Sequence, residues 1–144
     1  MSVTIKAILQ DRDGAVHSIG RSASLRDAVA MLAEKRIGAM PVAEGDKVLG
    51  IISERDVLYG LAREGPAVLD RSIAEVMISP AITVDSDTPV MDALALMTMR
   101  RIRHLPVVDG GLLSGFVSIG DLVKYRIDRI EAEASAMRDY IQMA

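Results

Sequence analysis

The stretch Arg101 to Asp121 reads Arg-Ile-Arg-His-Leu-Pro-Val-Val-Asp-Gly-Gly-Leu-Leu-Ser-Gly-Phe-Val-Ser-Ile-Gly-Asp. Its twin, Arg36 to Asp56, reads Arg-Ile-Gly-Ala-Met-Pro-Val-Ala-Glu-Gly-Asp-Lys-Val-Leu-Gly-Ile-Ile-Ser-Glu-Arg-Asp. Pro41 to Pro106 and Asp56 to Asp121 are both separations of 65 residues, so the copies align without a gap. Arg36, Ile37, Pro41, Val42, Gly45, Gly50, Ser53 and Asp56 recur as Arg101, Ile102, Pro106, Val107, Gly110, Gly115, Ser118 and Asp121. Upstream, Asp27, Ala28 and Ala30 recur as Asp92, Ala93 and Ala95. A repeat of this kind sets the architecture. Each copy holds a buried strand, a Gly-containing turn, a second strand, then Gly-x-x-Ser-x-x-Asp opening a helix.

Working outward, Thr4 to Leu9 suits a short helix or turn, Asp11 to Gly14 a turn, and Val16 to Ile19 an extended segment. The counterpart of that segment is Ala81 to Val84, where Pro80 biases Ser79 away from helix and separates a short helix around Ile73 to Met77. Leu25, Ala28, Val29 and Leu32 make Leu25 to Arg36 an amphipathic helix, with Ser24 or Ser22 as its cap. Thr88-Pro89 reads as a cap and first-turn proline for a second such helix, Pro89 to Arg100, with Val90, Ala93, Leu94 and Met97 on one face. These two helices are expected to pack the lobes together. Met40 to Ala43 with Val48 to Ile52, and Leu105 to Val108 with Leu113 to Val117, are expected as antiparallel hairpins. Gly65-Pro66 marks the inter-repeat connection, and Val68 and Leu69 make it a packed one. Repeat 1 thus spans 4–64 and repeat 2 spans 65–129, with a helical extension over 130–144.

From Asp121 to Gln142 there is no Gly or Pro, and Val123, Ile127, Ile130, Ala134, Met137 and Ile141 form a heptad stripe. Such a helix either folds back over its own lobes or supplies an interhelical seam in a dimer.

Half of the 144 residues are apolar, enough for one compact unit or two interdependent lobes. A net charge of −3, one Phe, three Tyr and no Trp give neither the basic footprint nor the stacking platforms of nucleic-acid binders. The nine Met read as flexible core filler. Cysteine is absent, which removes disulfides and thiolate chemistry. Neither a secretory signal nor a membrane-length apolar run is visible, and a soluble, cytoplasmic protein is expected.

The Gly-x-x-Ser-x-x-Asp element has two readings. As local structure, Ser53 and Ser118 cap helices, and Asp56 and Asp121 sit in first turns where the helix dipole favours them. As a site, a helix N-terminus offers N–H groups to phosphate, and a carboxylate accepts from vicinal ribose hydroxyls. Gly50 and Gly115 would let a ligand approach the strand closely. Arg101, Arg103 and His104, beside Arg100, are either a solvated helix end or a phosphate site suited to arginine's donor fork. Repeat 1 has Gly38 and Ala39 where repeat 2 has Arg103 and His104, and compensates in part with Arg55 where repeat 2 has Gly120. Two unlike clefts are expected.

These motifs resemble the CBS domain, the cystathionine-β-synthase-type repeat that occurs in tandem as a Bateman module. The resemblance covers about Thr4 to Arg129 and implies an α/β fold of α+β type. Two repeats are related by a pseudo-two-fold axis and packed sheet to sheet, with a long C-terminal helix added. It implies an adenine-nucleotide sensor: AMP or another adenosine nucleotide, with ATP, NAD(H) and S-adenosylmethionine sharing the adenosine handle. Carried over residue by residue, Asp56 and Asp121 hold ribose, and Ser53 and Ser118 contact ribose or phosphate. The basic residues Arg36, Arg55, Arg101, Arg103 and His104 reach phosphate. Ser18-Ile19 and Thr83-Val84 border adenine or ribose, with the alternative of ordinary strand ends. Ile37, Met40, Pro41, Ile102 and Pro106 wall the base. The family also implies a homodimer, acting on an unidentified protein target in trans or through its own oligomeric state.

Catalysis finds no support in the residues. His17 and His104 form no nucleophile–base or metal-ligand pattern, and Ser53 and Ser118 lack the hydrolase elbow Gly-x-Ser-x-Gly. Asp85 and Asp87 near Asp92 suit a hairpin and helix start better than Mg²⁺. A binding module is expected, not an enzyme; the alternative is an interaction module without a small ligand.

Overall fold

The computed structural model describes residues 3–12 and 16–143. The elements are α1 (Ile5–Gln10), α2 (Leu25–Lys35), β1 (Ala39–Glu44), β2 (Lys47–Ser53), α3 (Glu54–Glu64), α4 (Ile73–Val76), α5 (Val90–Arg100), β3 (His104–Asp109), β4 (Leu112–Ser118) and α6 (Ile119–Met143). A 3-10 segment, Gly65–Asp70, joins α3 to the second half. The turn expected through Asp13 and Gly14 lies outside the described residues.

β1 pairs antiparallel with β2, and β3 with β4, in matching registers: Ala39 faces Ser53 as His104 faces Ser118. Both ladders slip by one residue at the same place, between Val42 and Ala43 and between Val107 and Val108. A third, parallel chain segment flanks each hairpin. Ile19 N donates to Pro41 O (3.2 Å) and its carbonyl accepts from Ala43 N (2.9 Å), as Val84 does with Pro106 O (3.1 Å) and Val108 N (2.8 Å). The two sheets meet along β2 and β4, where Leu113 N donates to Asp46 O at 2.7 Å. This is the mixed fold with pseudo-two-fold repetition that the family resemblance implied.

Two apolar cores result. One gathers Leu25, Ala28, Leu32, Met40, Val42, Ile52, Val68 and Ile73; the other Ile5, Ile8, Val90, Ala93, Met97, Leu105, Val107, Val117 and Leu122. The repeats exchange their leading segments. α1 belongs to the second core, tied by Ile5 N to Thr88 O and Val90 N to Val3 O, while Val68 and Ile73 fill the first. The inter-repeat connection is packed, with Val68 against Gly60.

Two local expectations need correction. The buried faces of α2 and α5 lie in separate cores, and β2 and β4 bring the lobes together instead. The N-cap of α5 is Pro89, with no side-chain bond; the Thr88 hydroxyl is engaged with Asp85 at 3.1 Å in the preceding turn. Asp85 Oδ1 also accepts from Asp87 N, so these acids build a turn. Between the candidate caps of α2, Ser24 is the one used, in a capping box with Asp27.

Candidate functional site

The Ser/Asp pairs at the starts of α3 and α6 are both capping boxes. Ser53 N donates to Asp56 Oδ2 at 2.9 Å and Asp56 N to Ser53 Oγ at 3.4 Å. In the second repeat, Ser118 N donates to Asp121 Oδ2 at 2.7 Å and Asp121 N to Ser118 Oγ at 3.1 Å. The same box at Ser24 and Asp27 faces neither cleft described below, so the box alone does not make a site.

What distinguishes Ser53 and Ser118 is their surroundings. The pseudo-two-fold axis sets the helix start of one repeat against the pre-strand segment of the other. The first cleft, about 190 Å³, is walled by Ser53, Glu54 and Arg55 on one side and Arg101 to His104 on the other, floored by Ile51, Ile78 and residues 80–82. The second, about 440 Å³, joins Ser118 and Asp121 to residues 36–39, Val16 and His17, with Leu9, Arg12 and Phe116. The basic cluster of repeat 2 therefore shares a cleft with the Ser53 helix start. Arg55 lies in that same cleft, so it adds to the charge of Arg101 and Arg103 where compensation on the opposite side was expected.

Arg36 and Arg101 end α2 and α5 in the left-handed region, at φ 54° and 55°. For a residue with a Cβ this costs on the order of 1 kcal/mol. The strain recurs at the two equivalent cleft edges, where it turns the chain toward the strand.

His104 lines both clefts. Its ring stacks on Phe116 with centroids 5.6 Å apart and planes 9° from parallel. Burial pushes its pKa down; Asp121 and Glu54 pull it up and Arg103 opposes them, and the net shift is downward. At Asp121, burial pushes the carboxyl up, but the Ser118 backbone N–H, Arg12 and the Ser118 hydroxyl outweigh it and hold the group below the usual carboxylate range.

Several expected residues lie elsewhere. Met40, Pro41 and Pro106 are buried in the sheets and Ile19 in the first core, so their side chains wall neither cleft; Ile37 and Ile102 do. Ser18 and Thr83 are likewise off the cleft walls, which take Val16, His17, Ala81 and Ile82 from just upstream. Asp56 reaches the first cleft only through its bonds to Ser53, whose hydroxyl also donates to Asp56 Oδ2 at 3.0 Å. Gly50 and Gly115 do permit a close approach, but the approaching groups are protein: a Cβ there would lie 2.5 Å from Ile78 O or 2.7 Å from Leu9 Cδ2. Arg12, Phe116 and Glu54 escaped the sequence reading. The repeat offset pairs Phe116 with Ile51, and that was the available signal for Phe116; Arg12 and Glu54 had none.

The CBS-domain family model matches residues 12–63 and 73–128. The chain belongs to the CBS-domain family. A CBS-domain-containing protein of Agrobacterium tumefaciens, known from its crystal structure, superposes with a TM-score of 0.82 at 34% identity, covering 88% of this chain and 95% of that one. Among curated relatives, the mitochondrial CBS domain-containing protein CBSX3 of Arabidopsis thaliana is 35% identical over 81% of this chain and 59% of its own length. Uncharacterised relatives from Thermofilum pendens and Methanocaldococcus jannaschii are matched over 33% and 36% of theirs, so the chain spans between a third and three fifths of these proteins. The CBS domain pair of protein MJ0100, solved in complex with 5′-methylthioadenosine and S-adenosyl-L-methionine, superposes with a TM-score of 0.75 at 25% identity, covering 85% of this chain and 98% of that one. Here, then, is a tandem CBS pair with two unlike clefts. Among the described residues, no helix is long and apolar enough to cross a membrane.

Proposed function

We propose that this CBS pair is an adenine-nucleotide sensor whose first cleft takes the phosphate-bearing ligand. The observation that carries the reading is the convergence of Arg55, Arg101 and Arg103 from opposite repeats on one cavity that Ser53 also lines. Arginine forks suit phosphate oxygens, and the N-terminus of α3 adds partial positive charge. Asp56, bonded to Ser53, is the acceptor for ribose hydroxyls. AMP is the reference ligand, with ATP, ADP and NAD(H) sharing its adenosine; the adenosine compounds held by the MJ0100 pair support that class. The module works by binding, without turnover, in the cytoplasm, as a homodimer that acts on a protein target in trans.

A screen of AMP, ADP, ATP, NAD(H) and S-adenosylmethionine by thermal shift, confirmed by calorimetry, tests this. At least one adenosine phosphate should raise the melting temperature and bind near one equivalent per chain, while inorganic phosphate alone should not. No shift with any of them would favour a second reading, an interaction module without a small ligand. The observation on that side is that both Ser/Asp pairs already satisfy each other. Chromatography after incubation with ATP or NAD should return the nucleotide unchanged.

A further inference from the structure

α6 runs 25 residues, about 38 Å at ~1.5 Å per residue, and only Leu122 in it is buried. Every described residue from Arg126 onward is exposed; the helix borders the body as far as Glu133 and projects beyond it. Its body-side face carries Tyr125, Arg126, Arg129 and Glu133, which border a groove with Val3 and Pro89 to Asp92, so Arg126 and Glu133 stand between that groove and the apolar stripe. The apolar stripe of Val123, Ile127, Ile130, Ala134, Met137 and Ile141 points elsewhere, with exposures rising from 42% at Val123 to 64% at Ile141. A single projecting helix of this length gains little from its own backbone bonds, and a continuous apolar stripe on it marks a contact surface.

We propose that the partner is a second copy of this chain, the two α6 helices pairing in parallel and in register along that stripe. This deepens the homodimer reading by naming its surface. The flanking charges argue for it. With Ile127, Ala134 and Ile141 at heptad a and Val123, Ile130 and Met137 at d, the g positions are Arg126 and Glu133 and the e positions Lys124, Glu131 and Arg138. In a parallel pair each g side chain meets the e side chain five residues further along the partner. Arg126 then meets Glu131, and Glu133 meets Arg138, each twice per dimer. An antiparallel pair overlapping the whole stripe instead sets Glu131 against its own copy and Lys124 beside Arg138. A membrane surface is the weaker occupant: from Val123 onward α6 carries Lys124, Arg126, Arg129 and Arg138 against Asp128, Glu131, Glu133 and Asp139, with no basic excess to attract anionic lipid.

Sedimentation of the full chain should show a dimer. Ile130→Lys, at an exposed site that leaves both cores intact, should weaken it about 100-fold with the melting temperature of the dissociated chain unchanged. Glu131→Arg and Arg126→Glu should each weaken it about three- to tenfold, and mixing these two variants should restore association. Because the chain has no cysteine, Ala134→Cys reports direction: parallel pairing brings residue 134 against its own copy, and oxidation should give a covalent dimer in high yield. A dimer insensitive to Ile130→Lys would place the interface elsewhere and overturn the α6 assignment while leaving the homodimer reading. A monomeric wild type would overturn both, as would association only on phosphatidylserine vesicles. Dimers that resist disulfide formation at 134 would overturn the parallel register. Residue 130 lines neither cleft, so nucleotide binding by Ile130→Lys reports the sensor reading separately.

Discussion

Arg12 and Asp121 form an ion pair within the second cleft, and the same guanidinium donates to Phe116 O at 2.6 Å. The repeat offset puts Met77 at the equivalent place beside the first cleft, and among the described residues Asp56 has no ion pair. The two acceptors differ accordingly: in the second cleft a ribose has to displace a protein cation to reach Asp121.

Arg12→Ala should therefore free the second cleft. If one adenosine site is seen in the wild type, calorimetry on the variant should reveal a second, weaker one. The stability cost should be small, about 0–1 kcal/mol for a pair this exposed. A single unchanged site in Arg12→Ala would show that Arg12 is not what differentiates the clefts.

Asp121 also sets a pH dependence. Its carboxyl is depressed in the folded state, so the unfolded chain binds more protons at acid pH. The stabilisation it supplies is complete above its unfolded pKa of about 3.9 and is lost as pH falls through the lower folded value. Urea titrations should show wild type more stable than Asp121→Asn at pH 6, with the gap closing as pH falls below about 4. A gap independent of pH would assign the effect to packing.

His104 runs the other way. Burial lowers its pKa, so it is neutral at pH 7 to 8 and charges only below the ordinary ~6.5. Any gain in phosphate affinity from its protonation should appear below about pH 6.5 and be absent between 8 and 7. At pH 8, Arg103→Ala should weaken AMP binding more than His104→Ala, with the difference narrowing toward pH 5.5. Equal effects at both pH values would remove His104 from phosphate contact.

The parts of this molecule that were legible in the sequence are those the repeat encodes. Pro41 and Pro106, Gly50 and Gly115, Ser53 and Ser118 carry the hairpins and helix starts at fixed spacing. What escaped was which lobe each amphipathic segment joins. Ile5 and Ile73 are equally apolar, and periodicity reports that a face is buried without reporting against what, so the exchange of leading segments had no local signature. The same limit misplaced Arg55. Only the pseudo-two-fold axis, a relation between repeats, puts it beside Arg101 and Arg103. Thr88-Pro89 misled for a local reason, because Asp85 captures the threonine hydroxyl.

The paired glycines test the inter-lobe seam. Alanine at Gly50 drives its Cβ to 2.5 Å from a backbone carbonyl, Ile78 O, in a segment bonded to Ile51 in both directions. At Gly115 the clash is with the end of the Leu9 side chain, which can rotate. Gly50→Ala should cost about 1–3 kcal/mol and Gly115→Ala less, by chemical denaturation. The reverse order would mean that residues 77–80 yield more easily than α1.

The decisive measurement separates the two meanings of the Ser/Asp box. Asp56 closes a capping box and, on the proposed reading, also receives ribose; Asp27 closes a box of the same kind with no cleft beside it. Losing a cap costs about 1 kcal/mol in either place, so Asp27→Ala and Asp56→Ala should have similar melting temperatures. Their ligand binding should differ. Asp27→Ala should bind AMP like the wild type, whereas Asp56→Ala should lose about 1.5–3 kcal/mol, the worth of a hydrogen bond to a charged group. Ser53→Ala is the intermediate case, because it removes the cap's hydroxyl and loosens Asp56 without deleting its charge. If Asp56→Ala matches Asp27→Ala in affinity as well as in stability, the carboxylate is a helix cap and nothing more, and the nucleotide has to be held by the arginines alone.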